Sequence, residues 1–384
     1  MVIKNGNILL PNGEIQPGDL LLADGSIRDV GGILAADSEL DVSGAYVVPG
    51  LIDLHTHGLG RENAGFGSLP ELAKIEASFG ATTFYPTLFG PPDESAEHML
   101  RHRRETDDLK GAPNVGGFRL ESPYLAYPSG GTPRDCSPIS PGTTKALLEA
   151  GGGHVRIWDI SPEMDGAPDV IRELSSQGVI CSIAHTRATI DQSRAAVDAG
   201  ARLVTHLFDV FPWPEQVDPD PDVYPLGLVD YLLIEDRVVC EIIGDGIHVF
   251  PILVEKAMRC KTPDRIAFIT DSNMGAGLPP GRYSLPGGWG DILVQGSNDG
   301  LRLPDRDMVL VGSALTPIAA FRNAIRLFGK DMAVASKLCS TTPARLMGLN
   351  KGEIAAGRDA DLIVLDSDLN LLYTICAGAL IYRR

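Results

Sequence analysis

The chain carries histidines and carboxylates at intervals that suit a divalent metal ion. The stretch Asp53-Leu54-His55-Thr56-His57 follows a Pro49-Gly50 turn and reads as a strand. Alternate side chains of a strand face the same way, so His55 and His57 point together while Thr56 turns away. Two imidazoles converging at a strand end can share one ion, although a His-x-His pair is as readily an ordinary core feature. Further on, Glu121, His185, His206, Asp245, His248 and Asp271 each fall near the end of a strand-like apolar run. Five of the eight histidines thus occupy equivalent places, and only His98, His102 and His154 fall elsewhere. Core filling does not explain such a set. Imidazole and carboxylate are the usual ligands of catalytic zinc and related ions, and the set suits metal-assisted hydrolysis.

The elements that must position these residues form a regular alternation. Eight strand candidates cover residues 51–57, 81–89, 115–124, 154–163, 179–186, 203–211, 238–248 and 265–273. Amphipathic stretches such as PELAKIEASFG, PDVIRELSSQG and DQSRAAVDAGA lie between them, several ending in Gly as helix C-termini do. The pattern predicts an α/β fold, a (β/α)8 TIM barrel over residues 50–344, with a doubly wound open sheet as the alternative. In such a barrel, functional residues lie at the C-terminal strand ends. Residues 1–49 read as short strands joined by Asn-Gly and Asp-Gly turns, and residues 345–384 return to that style. Each needs a partner, so the two termini are expected to build one small β-sandwich domain. After the eighth strand come an irregular excursion with a hairpin and then two helices. The Pro- and Asp-rich run from Phe211 to Leu228 is long for a barrel loop and is expected to act as a lid or wall.

Composition narrows the function. The chain has 384 residues, enough for one large domain and a smaller one. Its formal net charge is -17 and no basic stripe occurs, which argues against a nucleic-acid partner. No apolar run is long enough to cross a bilayer, and the N-terminus lacks the pattern of a signal peptide. The six cysteines are scattered without a Cys-x-x-Cys pair, which suits reduced thiols in a cytoplasmic protein.

The wording around the candidate residues resembles the amidohydrolase superfamily, and within it the N-acetylglucosamine-6-phosphate deacetylases. The resemblance rests on VVPGLIDLHTHG, on RLESPYL where that family has L-E-G-P-[FW], and on AHTRAT where it has G-H-S-N-A-T. It continues through THLFDVF, EIIGDGIHV, ITDSNMGAGLPPGRY, VGSALT and TTPARLMGL…KGEIAAGRDADLIVLD. The resemblance implies that Glu121, His185 and His206 bind a principal divalent ion. His55 and His57 would bind a second, with Glu121 able to bridge and Asp271 completing the set. Zinc is the first choice, with iron or manganese as alternatives, and one ion or two. Asp271 is implied as general base and then acid, and His248 as the donor that polarises the amide carbonyl. Asp209, His248, Arg187 and Ser313 are the implied substrate contacts, and a homodimer is the implied assembly. Asp245 reads as structural, holding the turn after the seventh strand.

The departures from the family lie on the substrate side. The family's Arg after strand six has no counterpart, since residues 212–230 contain no Arg or Lys and carry Asp218, Asp220, Asp222 and Asp230. Asp209 stands where the family has Asn, and carboxylates there repel a phosphate dianion. Arg187 and Arg134 occur where the family lacks them, and either could hold an anion. The expected activity is metal-dependent removal of acetate from an N-acetyl amino sugar, the 6-phosphate of N-acetylglucosamine being the reference substrate. A non-phosphorylated sugar or an N-acyl amino acid is the alternative substrate, and a non-catalytic barrel scaffold the alternative class. The scaffold reading expects a broken position among the chemistry-bearing residues, and none is broken.

Overall fold

The computed structural model describes residues 1–128, 135–211, 226–288 and 290–384. Eight parallel strands follow one another in chain order: β1 (Leu51–Thr56), β2 (Ala81–Leu88), β3 (Phe118–Leu120), β4 (Val155–Ile160), β5 (Ile180–Ile183), β6 (Leu203–Val204), β7 (Val239–Ile243) and β8 (Ile266–Ile269). Each pairs with the next in parallel register, as in Leu120↔Trp158, Ile157↔Ile180 and Ile242↔Phe268. The ring closes between β8 and β1, through a parallel bridge Thr56↔Ser272 and the Asp271 N–H donating to the His55 carbonyl at 2.9 Å. The open-sheet alternative is thereby set aside. β1 and β2 are buried at every position, because side chains fill the barrel on one face and helices cover the other.

Helices follow the strands: α1 (Leu69–Ser78), α2 (Pro92–Glu105), α3 (Pro141–Gly151), α4 (Ala167–Ser176), α5 (Ile190–Ala199), α6 (Leu228–Ile234), α7 (Pro251–Lys261) and α8 (Pro317–Arg326). Their starts are locally encoded. Ser68 accepts from the Glu71 N–H ahead of α1, and Thr189 with Gln192 forms a reciprocal capping box ahead of α5. Between β8 and α8 the excursion holds a four-stranded antiparallel sheet, more than the expected hairpin, closed over Met274, Ile292, Val294 and Leu301. The second helical stretch after it is interrupted by a π turn, Lys337–Thr341.

The termini pair as the sequence leads one to expect. Tyr46–Pro49 pairs antiparallel with Leu362–Leu365 and parallel with Val2–Leu9. The eight terminal strands form one continuous hydrogen-bonded sheet, curved over a core of Ile3, Ile8, Leu20, Ile27, Val47, Leu362 and Ile375. Gly50 joins this sheet to the barrel. Its N–H donates to the Asp361 carbonyl and its own carbonyl accepts from Ser340 Oγ, both at 2.9 Å.

Two expected strands are shorter than their apolar runs. Of residues 203–211 only Leu203–Val204 is strand, because His206, Phe208 and Val210 take φ of 27°, 81° and 53° and turn the chain across the barrel mouth. Of residues 115–124 only Phe118–Leu120 is strand. Most of the Phe211–Leu228 loop, and Arg134, lie outside the described residues.

Candidate metal centre and active site

The strand alternation of β1 brings His55 and His57 together, their Nε2 atoms 3.2 Å apart. Glu121, directly after β3, is buried between two groups of imidazoles. Its Oε1 lies 2.9 Å from His185 Nε2 and 3.3 Å from His206 Nε2. Its Oε2 lies 2.9 Å from His57 Nε2 and 3.3 Å from His55 Nε2. Asp271 Oδ1 stands 3.5 Å from both His55 Nε2 and His57 Nε2. Three of these residues sit just past their strands in left-handed backbone, His185 at φ 45°, His206 at 27° and Asp271 at 47°. Such conformations are costly for residues with a Cβ and concentrate at functional sites. Here they swing the side chains inward over the barrel axis.

The donor chemistry points to cations. The Nδ1 atoms of His57, His185 and His206 face the backbone carbonyls of Thr87, Tyr127 and Asp209 at 3.2, 3.0 and 3.2 Å. A carbonyl only accepts, so each Nδ1 carries a proton and Nε2 is the ring atom left to take a cation, whether a proton or a metal ion. These Nε2 atoms converge on each other and on carboxylate oxygens. Without a positive charge between them the arrangement is repulsive. Among the described residues three groups emerge, His55–His57–Asp271, Glu121–His185–His206 and the deeper His55–Glu121–Asp159, each with donor atoms within 4.8 Å of one another. The titration behaviour agrees. Burial opposes charge on His206, yet Glu121, Asp271 and Asp209 raise it to about 9. Burial and the Arg119 charge oppose protonation of His55, yet Asp271 and Glu121 raise it to about 10. Burial works against an ionised Glu121, and the histidines around it hold it well below the usual carboxylate range. The pocket stores negative potential that asks for positive charge.

His248 and Asp245 form a second feature. Asp245 Oδ2 accepts from His248 Nδ1 at 2.6 Å, and its Oδ1 accepts from the backbone N–H of Ile247 and His248 at 2.9 and 3.0 Å. Asp245 therefore holds the turn, as expected, and also grips His248, which the sequence reading did not foresee. Burial disfavours the charged ring, but the Asp245 carboxylate outweighs it and raises the His248 pKa. Asp209 lies beside His206 through its backbone carbonyl, and its side chain adds negative charge near His206 and His248. Ser313 is fully buried, with its hydroxyl spent on the Thr270 carbonyl at 2.5 Å and its N–H on Asp271 O at 2.9 Å. It braces Asp271 from behind and offers no hydroxyl to the mouth. The Arg187 guanidinium lies 4.5 Å over the Tyr127 ring, on the residue whose carbonyl orients His185, and Glu163 accepts from the Arg187 N–H at 2.8 Å.

Beneath these candidate ligands lie groups that sequence reasoning missed. Arg119 is fully buried and paired with Asp159 and Glu241. Its one signal was an arginine inside an apolar strand, a rare placement unless paired. A polar seam also joins β1 to β8. Thr270 Oγ1 donates to Asp53 Oδ2 at 2.5 Å, and Thr56 Oγ1 meets Ser272 Oγ at 2.9 Å and Glu76 Oε1 at 3.2 Å. Burial pushes the Asp53 carboxyl up to about 6 and the Glu76 carboxyl well above its ordinary value.

The profile of the amidohydrolase family matches residues 141–381. The chain belongs to the amidohydrolase family. Within it, the chain is similar to the N-acetylglucosamine-6-phosphate deacetylase of Danio rerio, 30% identical over 88% of this chain and 85% of the relative. It is also similar to the N-acetylgalactosamine-6-phosphate deacetylase of Escherichia coli O157:H7, 31% identical over 84% of each chain. A mutant N-acetyl-D-glucosamine-6-phosphate deacetylase from Mycobacterium smegmatis, solved with N-acetyl-D-glucosamine-6-phosphate, superposes with a TM-score of 0.86 at 31% identity over 99% of both chains. This amidohydrolase is a metal-dependent enzyme of amide C–N bonds, and its imidazole and carboxylate clusters suit a divalent ion. Among the described residues no helix is long and apolar enough to cross a membrane.

Proposed function

We propose that this amidohydrolase removes acetate from an N-acetyl amino-sugar phosphate of the N-acetylglucosamine-6-phosphate class. The observation that carries the reading is the convergence of four imidazole Nε2 atoms and two carboxylates at one barrel mouth. Similarity to deacetylases over nearly the whole chain supports the substrate class. Glu121, His185 and His206 would hold the principal ion and His55, His57 and Asp271 a second, with Glu121 placed between the two groups. Zinc suits the histidine-rich donor set best, with manganese or iron as substitutes. A divalent ion bound there supplies Lewis acidity, making hydroxide available near neutral pH and polarising a carbonyl.

The remaining steps belong to the chain. Asp271 is held ionised by the surrounding histidines against the cost of its burial, so it is ready to accept a proton from the attacking water. It then delivers that proton to the departing amine. His248, charged through Asp245, directs its Nε2–H at the carbonyl oxygen as negative charge develops there. Arg187 is the nearby candidate for an anionic substituent, and Ser313 acts by keeping Asp271 in place. The enzyme works in the cytoplasm as a homodimer, with residues 1–49 and 345–384 as its terminal β unit and 50–344 as its barrel.

A second reading, a substrate without phosphate, is favoured by Asp209 beside His206 and by the absence of Arg and Lys from residues 212–230. Acetate release from N-acetylglucosamine-6-phosphate, N-acetylgalactosamine-6-phosphate, unphosphorylated N-acetylglucosamine and an N-acetyl amino acid separates the two. A preference for a phosphosugar supports the first reading. Equal or better turnover without phosphate replaces it with the second, and no release from any of them with zinc or manganese present refutes both.

A further inference from the structure

One layer of the barrel interior, usually filled by branched apolar side chains, is ionic here. Arg119 on β3 donates through Nε to Asp159 Oδ2 at 3.1 Å and through Nη2 to Asp159 Oδ1 at 3.0 Å. It donates through Nη1 to Glu241 Oε1 at 2.6 Å and through Nη2 to Glu241 Oε2 at 3.0 Å. Nη1 also reaches the Leu54 carbonyl and Nη2 reaches Thr205 Oγ1, both at 3.0 Å. All three ionic side chains are fully buried. Two carboxylates against one guanidinium leave the group with an excess negative charge.

That excess faces His55. The nearest oxygen of the network, Glu241 Oε2, lies 3.8 Å from His55 Nδ1. His55 Nδ1 is buried and has no hydrogen-bond partner. His57, His185 and His206 have their Nδ1 protons fixed by backbone carbonyls. His55 has instead a carboxylate on that side, and Arg119 grips the carbonyl of Leu54, the residue just before it. We infer that Arg119 and Glu241 are positioning residues for His55, fixing its proton on Nδ1 so that Nε2 is offered as the ligand of a second metal ion. The alternative tautomer would set the Nδ1 lone pair against the Glu241 carboxylate. Asp159 holds Arg119 from the other side, so that Glu241 is not neutralised by a guanidinium of its own.

The inference rests on the reading that His55 and His57 belong to the metal centre. Its test reads metal binding alone, whereas acetate release by the unaltered enzyme decides the proposed function separately. The full-length protein is stripped with a chelator and titrated with Zn2+, and bound ions per chain are counted. The unaltered protein takes up two ions. In Glu241→Gln, which keeps the volume and a hydrogen-bonding oxygen, one ion weakens by about 10- to 100-fold and the other keeps its affinity, as for partners that orient metal-bound histidines. His55→Asn loses the same ion, and adding Glu241→Gln to it changes nothing more. Two ions bound normally by Glu241→Gln would overturn the inference, as would a single ion in the unaltered protein. A parallel loss of both ions with a fall in the melting temperature of the metal-free variant would also overturn it, leaving the network a purely structural role.

Discussion

Asp245→Asn isolates what a carboxylate does for His248. The carboxylate makes three contacts, two at Oδ1 with backbone N–H groups and one at Oδ2 with His248 Nδ1. An asparagine Oδ1 keeps both backbone contacts, so the turn survives. Its amide then faces Nδ1 as a donor, which makes Nδ1 the acceptor and leaves His248 neutral with its proton on Nε2. The donor toward the carbonyl is retained but loses its positive charge. Charge-assisted hydrogen bonds contribute about 1.5–3 kcal/mol against about 0.5–1.5 for neutral ones. The expected loss is therefore about 1–1.5 kcal/mol of transition-state stabilisation, or roughly 5- to 15-fold in kcat/KM. Removing the donor, as in His248→Ala, should cost about 10²- to 10³-fold.

The pH dependence separates the cases further. In the unaltered enzyme Nδ1 always gives its proton to Asp245, so Nε2 carries one only while the ring is charged. The folded His248 pKa is raised, so both the donor and the ion pair's stabilisation are fully present below the unfolded value of about 6.5. Both are lost as pH rises through the higher folded pKa. The unaltered enzyme thus shows an alkaline decline that Asp245→Asn lacks. The assay is kcat/KM for acetate release across neutral to alkaline pH, with melting temperature followed alongside. An unchanged alkaline limb in the asparagine variant would refute the reasoning. A loss as large as that of His248→Ala would refute it too.

Three further outcomes follow. Glu121→Gln should lower the content of both metal ions, measured by elemental analysis, because Glu121 lies within 3.3 Å of all four histidine Nε2 atoms; loss of one ion alone would contradict bridging. Chelation should abolish acetate release and lower the melting temperature, and zinc or manganese should restore both, with about 4 kcal/mol of stabilisation at a thousandfold excess over Kd; a melting temperature indifferent to the ion would speak against a buried site. Gly50→Ala should destabilise by about 1–3 kcal/mol, read by denaturant unfolding, because its Cβ would overlap the Thr82 side chain at the joint between terminal sheet and barrel.

The barrel and the core of the site were legible because they depend on local rules. Alternation in a strand predicts that His55 and His57 face one way, and their Nε2 atoms meet. Placing functional residues at strand ends predicts that Glu121, His185, His206 and Asp271 share one mouth, and they do. Strand length was less legible, since the run after β6 stays largely apolar while left-handed His206, Phe208 and Val210 turn the backbone out of the sheet. The Arg119 network was invisible for a different reason. Its pairs span 40 and 122 residues, and no local pattern says which carboxylate an arginine will meet. Ser313 shows the limit of carrying a residue over by motif, for its position is at the site while its hydroxyl points to backbone.

The seam between β1 and β8 bears on how the chain becomes an enzyme. Thr56 and Ser272 meet hydroxyl to hydroxyl across 216 residues of sequence. The terminal sheet likewise waits for Leu362–Leu365 to reach Tyr46–Pro49. Joints of such separation form late, because the entropy of closing the chain is lost before their contacts repay it. His55 and His57 stand on one side of the seam and Asp271 on the other, all within reach of one ion. A chain that stops before its eighth barrel strand therefore already holds Glu121, His185 and His206 but leaves His55 and His57 without Asp271, so the second cluster is completed only when the ring closes.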